Sequence, residues 1–249
     1  MKDSLNPAGC EAVSVEGRAL VRIVLLGPPG AGKGSLASLY KLHLGLAHLS
    51  TGQIFRQEIA RNSGLGRRVK RYVTNGSLVP DQLVVTVMAA HVGVRGPRTG
   101  FVLDGFPRTV RQAEGLDRVL ETQHRALDGV IYLTSPESLL VRRLSGRRVC
   151  KQCGENYHIR TRQPKRSGRC DRCGGHLIVR TDDQPMMIKK RLMIDRRASQ
   201  PLLGYYRRRG LLHPVDGRGR VERVYARTLR LFDCLGWLRH DRTQDPKRN

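Results

Sequence analysis

The chain has 249 residues, 39% hydrophobic and 27% charged, which supplies enough apolar material for a sizeable core and excludes wholesale disorder. Lys and Arg total 46 against 21 Asp and Glu, a formal net charge of +25, and all but nine of the basic residues are Arg. Aromatics make up only 5%, which argues against a sheet face that stacks RNA bases, while the charge suits either a polyanion partner or a merely arginine-rich surface.

In chain order, residues 1–20 read as a flexible N-terminal extension with Pro7 and Gly9; they lack the basic start and apolar run of a secretory signal. Val21 to Leu26 reads as a buried strand, its Ile23–Leu26 stretch far short of the roughly 20 residues that span a bilayer. A glycine-rich turn and a helix over 33–44 follow. Residues 50–79 form a short helical insertion. Helices are expected around 80–94, 109–123, 136–145, 183–208 and 220–235, and strands at Phe101–Asp104, Val130–Leu133 and Leu212–Val215. Residues 147–181 are rich in Cys, Gly and Arg with almost no apolar periodicity, and 239–249 are a basic tail. Strands alternating with helices predict an α/β fold, a parallel sheet with helices on both faces.

The loop Gly27-Pro28-Pro29-Gly30-Ala31-Gly32-Lys33-Gly34-Ser35 carries the G-x-x-x-x-G-K phosphate-binding pattern with a hydroxyl at Ser35. Glycines let backbone N–H groups wrap phosphates, and the following helix adds its positive end. Lys33 can reach the β- and γ-phosphates and Ser35 can ligate Mg2+. With a strand before and a helix after, the loop predicts binding of a nucleoside triphosphate.

Four of the six Cys form two pairs, Cys150-x-x-Cys153 and Cys170-x-x-Cys173, each followed by Gly. Gly154 and Gly174 give the tight turns that aim four thiolates at one ion, and tetrahedral Zn2+ in a closed, structural site suits them best. Iron can occupy a similar site. A segment so poor in apolar residues needs its metal to fold. Disulfides are disfavoured because the chain reads as cytoplasmic. His158 and His176 are spare, and Cys10 and Cys234 are bystanders.

The loop, followed in order by Ser50-Thr51-Gly52, Leu103-Asp104-Gly105-Phe106-Pro107-Arg108-Thr109, Gly146-Arg147-Arg148-Val149, Arg180-Thr181-Asp182-Asp183 and Pro201-Leu202-Leu203-Gly204-Tyr205-Tyr206, resembles the adenylate kinase family over about residues 21–238. The resemblance implies a P-loop core with a five-stranded parallel sheet at 21–49, 80–146 and 182–238, a monophosphate-binding lobe at 50–79 and a mobile zinc-ribbon-like lid at 147–181. It implies reversible, Mg2+-dependent transfer of a phosphoryl group from ATP to AMP, giving two ADP, and a monomer. The many kinases of this family with a four-Cys lid agree with the zinc expected from spacing.

The chemistry is consistent. An acceptor phosphate is already anionic, so no general base is needed, and catalysis reduces to positioning and charge neutralisation by Lys and Arg. By resemblance, Lys33, Arg108, Arg147, Arg180, Arg191 and Asp104 are the catalytic set, Asp104 holding Mg2+ through water at the carboxyl edge of the sheet. ATP would meet Gly30, Ala31, Gly32, Lys33, Gly34, Ser35, Arg147, Asn156, Tyr157 and Gly219, with Arg143 stacked on its adenine. AMP would meet Thr51, Arg56, Ser77, Leu78, Val79, Gly105, Phe106, Pro107, Arg108, Gln112, Arg180 and Arg191. Thr51 and Gln112 stand where the family reads adenine, which disfavours a UMP/CMP kinase. Gln53 departs from the family, which places an acidic residue there. Asp182 and Asp183 can cap the helix that follows and, by resemblance, tie the lid to the site, two roles that are compatible.

A competing reading is a nucleic-acid-binding zinc ribbon: from Arg142 to Arg191 there are 15 Lys and Arg against 4 Asp and Glu. A lid that closes on ATP must itself be basic, so weak, non-specific nucleic-acid affinity is carried as a secondary expectation.

Overall fold

The computed structural model describes residues 21–92 and 100–238; the extension at 1–20 with Cys10, the end of the helix expected to reach 94, and the tail at 239–249 lie outside the described residues. The chain runs β1 (Arg22–Leu26), α1 (Lys33–Leu44), β2 (Ala47–Ser50), α2 (Thr51–Ala60), α3 (Gly64–Thr74), α4 (Asp81–Val92), β3 (Phe101–Asp104), α5 (Val110–Glu121), β4 (Gly129–Thr134) and α6 (Glu137–Ser145). Then come β5 (Arg147–Cys150), β6 (Asn156–His158), β7 (Leu177–Ile178), a 3-10 turn at Thr181–Asp183, α7 (Pro185–Arg208), β8 (Leu212–Asp216) and α8 (Val221–Cys234).

Five strands form a parallel sheet in the order β2-β3-β1-β4-β8. Its central strands are apolar on both faces because each face is covered by helices. Ile23 and Leu25 pack on one side with Leu36, Tyr40, Val224 and Phe232. Val24 packs on the other with Phe101, Leu103, Met88, Leu116 and Tyr206. Most of these side chains are fully buried, and burying one of that size stabilises the fold by about 1.5–3 kcal/mol. The expected fold class is therefore found.

The edges depart from the expected strands. β2 pairs only with β3, and its Ala47-His48-Leu49-Ser50 residues are all half-buried, so no apolar run announces it. β8 is the opposite edge and tolerates Pro214, because only one side of an edge strand needs its hydrogen bonds. The segment without apolar periodicity forms its own antiparallel sheet, β6-β5-β7, whose interior is Cys150, Tyr157 and Cys170 instead of aliphatic residues.

Candidate active site

The loop between β1 and α1 sits at the carboxyl end of the sheet, the ligand-binding edge of open α/β folds. Gly27, Gly30 and Gly32 take positive φ of 138°, 85° and 99°, which a side chain would resist, so the chain curls tightly into α1. Gly32 caps α1 without a side-chain hydrogen bond, leaving the first N–H groups of the helix for an anion. Lys33 Nζ donates to the carbonyls of Gly27 at 2.5 Å and Pro28 at 3.0 Å, across the mouth of the loop. Burial lowers its pKa, and the Arg108 and Arg191 charges act in the same direction against Asp104 and Asp195. Ser35 is half-buried in the first turn of α1.

Asp104 ends β3 with its Oδ2 3.6 Å from His48 Nε2 and 3.2 Å from where a Cβ on Gly34 would stand. Burial raises its pKa, but His48, Lys33 and Arg108 outweigh that and hold the carboxyl below the usual carboxylate range. A lasting carboxylate beside the Ser35 turn is a hard-oxygen donor set that fits Mg2+. His48, on the inconspicuous edge strand, is a member of this site that the sequence reading missed; its place directly before Ser50-Thr51-Gly52 by two residues was the available signal.

The arginines expected on phosphates converge. Arg147 donates from Nε and Nη2 to both oxygens of Asp183, at 2.7 and 2.5 Å, and Arg191 Nη1 reaches Asp183 Oδ1 at 2.9 Å and Asp182 Oδ2 at 3.0 Å. Arg56, Arg108 and Arg180 have no acidic partner within 4.0 Å among the described residues. Arg108 Nε donates to the Gly105 carbonyl at 2.9 Å. Burial lowers the pKa of Arg56 and Arg108, and the Arg180 guanidinium is pushed down to about 9 by burial and by Arg56 and Arg147. Its Nε is a buried donor without a protein partner. Crowded, under-neutralised guanidiniums around one cleft are the donor set that phosphate oxygens satisfy.

Asp182 and Asp183 do not cap α7; Gln184 is its N-cap and makes no side-chain cap bond. The 3-10 turn points both carboxylates at Arg147 and Arg191, whose charged forks compete better for them than backbone N–H groups do. Of the two roles expected for this pair, the helix cap is absent, and what the structure shows is an ion-pair link from the turn to β5 and α7.

Next to the arginines, Thr51 Oγ1 donates to the Gly105 carbonyl at 2.9 Å, and Gly105, at φ +80°, is strained for any side chain, whose Cβ would stand 3.1 Å from both Thr51 Oγ1 and Arg108 Nη2. Phe106 is buried, and a cis peptide joins it to Pro107. Gln112 is 2% exposed, accepting from Arg108 N at 2.8 Å and donating to Asp81 Oδ1 at 2.7 Å, so two protein partners fix its amide plane. Ser77 and Leu78 are half-buried and Val79 buried at the start of α4. Gln53 is exposed, and its Nε2 lies 3.6 Å from where a Cβ on Gly154 would stand, so it faces the first Cys knuckle.

On the other side, Arg143 donates to the carbonyls of Ala31 at 3.3 Å, Gly217 at 3.0 Å and Gly219 at 2.8 Å, clasping the phosphate loop to the β8–α8 loop. Asn156 is half-buried and its carbonyl accepts from Arg162. Tyr157 is turned into the Cys lobe.

In that lobe the four Sγ atoms lie within 4.8 Å of one another, Cys150 to Cys173 at 3.4 Å and Cys153 to Cys170 at 3.5 Å. Tetrahedral coordination at ~2.3 Å per sulfur sets neighbouring sulfurs about 3.8 Å apart, so this set fits one ion. The two knuckles repeat one pattern: Gly154 N donates to Cys150 O at 3.0 Å, Gly174 N to Cys170 O at 2.8 Å, with φ of 74° and 72° at the glycines. Burial opposes ionisation of Cys170, yet the Tyr157 hydroxyl and the N–H groups of Arg172 and Cys173 bring its thiol down to about 6. His158 takes no part; its Nδ1 accepts from the N–H groups of Arg160 and Thr161.

Fold and site together define a P-loop α/β phosphotransferase core that carries a four-Cys lobe between α6 and α7. A family model described as adenylate kinase matches residues 25–211. The chain is 45% identical to an adenylate kinase of Moorella thermoacetica over 204 residues, 82% of this chain and 94% of that one. It is 43% identical to an adenylate kinase of Methanocella arvoryzae over 206 residues, 83% and 95% of the two chains, and 40% identical to one of Caldicellulosiruptor bescii over 216 residues, 87% and 99%. The chain belongs to the adenylate kinase family.

Proposed function

We infer that the chain catalyses reversible phosphoryl transfer from ATP to AMP, yielding two ADP. The observation that carries this reading is the convergence of Lys33, Arg56, Arg108, Arg147, Arg180 and Arg191 on the cleft that also holds Asp104. The N–H groups of Gly30 to Ser35 and the Lys33 ammonium hold the phosphates of ATP. Arg56 and Arg108 hold the AMP phosphate, and Arg147, Arg180 and Arg191 neutralise charge on the transferring group. No side chain abstracts a proton, because the attacking oxygen is already anionic. Thr51, Gln112 and the backbone of Ser77 to Val79 fit the AMP adenine, and Arg143 flanks the ATP base. Ser35 and, through water, Asp104 would hold Mg2+, which supplies charge neutralisation on the donor phosphates.

Cys150, Cys153, Cys170 and Cys173 hold structural Zn2+ in this reading, residues 147–181 act as lid and 50–79 as monophosphate lobe. The chain is proposed to act as a cytoplasmic monomer; no helix among the described residues is long and apolar enough to cross a membrane. Acceptor tests with AMP, CMP, UMP and GMP on protein of measured metal content address substrate and zinc together. Mg2+-dependent phosphorylation of AMP above the others, with about one zinc per chain, is expected. Absence of AMP phosphorylation would overturn the kinase assignment for this chain.

One observation favours a secondary affinity for nucleic acid. On α3, Arg67, Arg68, Lys70 and Arg71 are all exposed, and the helix carries no acidic residue. Non-specific RNA binding that weakens steeply with salt is expected of that face; retention that fails just above low salt would make the charge a diffuse surface property.

A further inference from the structure

The family resemblance assigns position 157 to ATP, but the Tyr157 side chain is 4% exposed and packed with Cys150 and Cys170 inside the four-Cys lobe. Its hydroxyl sits between the two knuckles. It donates to Cys170 Sγ at 3.5 Å and accepts from the Asp171 N–H at 2.7 Å. One phenol oxygen thus contacts a sulfur and the next residue of the second knuckle, while its own strand β6 follows the first knuckle and pairs with β5, Tyr157 opposite Arg148. The outer face of the ring is covered by the Arg162 guanidinium, 5.4 Å from the centroid, and Arg162 is held in turn by Glu155 at 2.7 Å and by the Asn156 carbonyl.

Four thiolates carry more negative charge than a divalent ion cancels, and donors to the sulfurs disperse the excess. Backbone N–H groups do this within a knuckle; a side-chain hydroxyl from another strand also fixes the sulfur's direction. Groups that orient metal ligands in this way change metal affinity by about 10–100-fold when removed.

We propose that Tyr157 is a positioning residue of the metal centre, its hydroxyl aiming the Cys170 sulfur and fastening the second knuckle to β6, and that this hydroxyl is not an ATP contact. This rests on the zinc reading above. A buried phenol spent on a sulfur and an amide has no free polar atom for a nucleotide.

Tyr157→Phe keeps the ring and its Arg162 cover and deletes the hydroxyl alone. Zinc affinity, read by competition with a chromophoric chelator, is expected to fall about tenfold. In the cobalt-substituted chain the sulfur-to-metal charge-transfer band should move to lower energy, since a thiolate without that donor gives up electron density more readily. Val149→Ala, which removes buried packing from β5 without touching a sulfur, should loosen the lobe and leave the band in place. An unshifted band with zinc affinity within about twofold of the parent overturns the proposal. So does a raised KM for ATP at unchanged zinc affinity, which would return Tyr157 to the nucleotide. The parent chain, loaded with the NMR-active cadmium isotope, gives a second readout independent of the variant's folding. A scalar coupling between the metal and the Tyr157 hydroxyl proton is expected, and a slowly exchanging hydroxyl proton without it counts against the bond. A parent chain that binds no zinc at all sinks the zinc reading first and this one with it, whereas zinc bound equally with and without the hydroxyl sinks only this one.

Discussion

Arg147 and Asp183 form a two-point ion pair at the root of the four-Cys lobe, with the Asp183 side chain wholly removed from solvent. The same carboxylate takes Arg191 at 2.9 Å, so β5, the 3-10 turn and α7 meet on one buried charge. Two arginines expected to grip the transferring phosphate are thereby positioned by an acid outside the chemistry.

Asp183→Asn keeps the shape and removes the charge, leaving two guanidiniums competing for a neutral amide. Breaking a buried pair from one side costs about 3 kcal/mol. Urea unfolding should show that loss as a lower midpoint at similar slope, accompanied by a fall in kcat because Arg147 and Arg191 are no longer aimed.

Lys33→Met tests the phosphate loop. The Lys33 head group bonds only loop carbonyls, so stability should change little. Turnover should fall by about 100- to 1000-fold, the cost typical of losing one preorganised charge donor. A coupled ATP/AMP assay beside a thermal melt separates the two.

Asp104 and Asp182 set the acid limb of stability. Burial raises both pKa values, but His48 and Lys33 around Asp104, and Arg191, Arg180 and Arg147 around Asp182, bring them net below the ordinary value. A depressed folded-state pKa means stability that is complete above the unfolded pKa of about 3.9 and is lost as pH falls through the lower folded value. Melting curves should therefore hold from neutral pH to about 5 and fall steeply below 4, and Asp104→Asn should flatten part of that fall.

Gln112→Ala would leave the Arg108 N–H and one Asp81 oxygen without their partner. A stability loss of about 1–3 kcal/mol is expected for buried groups left unpaired. If Gln112 also reads the base, KM for AMP should rise well beyond KM for ATP, which initial-rate measurements at saturating co-substrate would resolve.

Much of the fold was legible because its central strands are buried on both faces and must be continuously apolar, as Ile23 to Leu26 and Val130 to Leu133 are. β2 was not: an edge strand needs little apolar content, so nothing in the sequence marks as a strand the four residues that carry His48 to Asp104. The phosphate loop and the Cys pairs were legible for another reason. Their chemistry depends on spacing along the chain, which a sequence displays directly. The Arg surplus became partly intelligible only in space. Arg22 pairs with Asp128, Arg209 with Asp117, and Arg218 with Asp216, while Arg227 bonds the carbonyls of Asp216 and Arg218. The partly buried Arg22–Asp128 and Arg209–Asp117 pairs contribute under about 1 kcal/mol each, and the exposed Arg218 pair is screened by solvent, so all explain placement more than stability.

The sequence by itself determined the phosphate-binding loop, the α/β alternation and the four thiolates, because each is a local pattern whose physics operates within a few residues. Only the tertiary structure decided which arginines stay unneutralised, that Asp182 and Asp183 hold Arg147 and Arg191 instead of capping a helix, and that Tyr157 faces sulfur. Those outcomes depend on which charged and polar groups are brought together from distant segments, and burial there raises the cost of any group left without a partner.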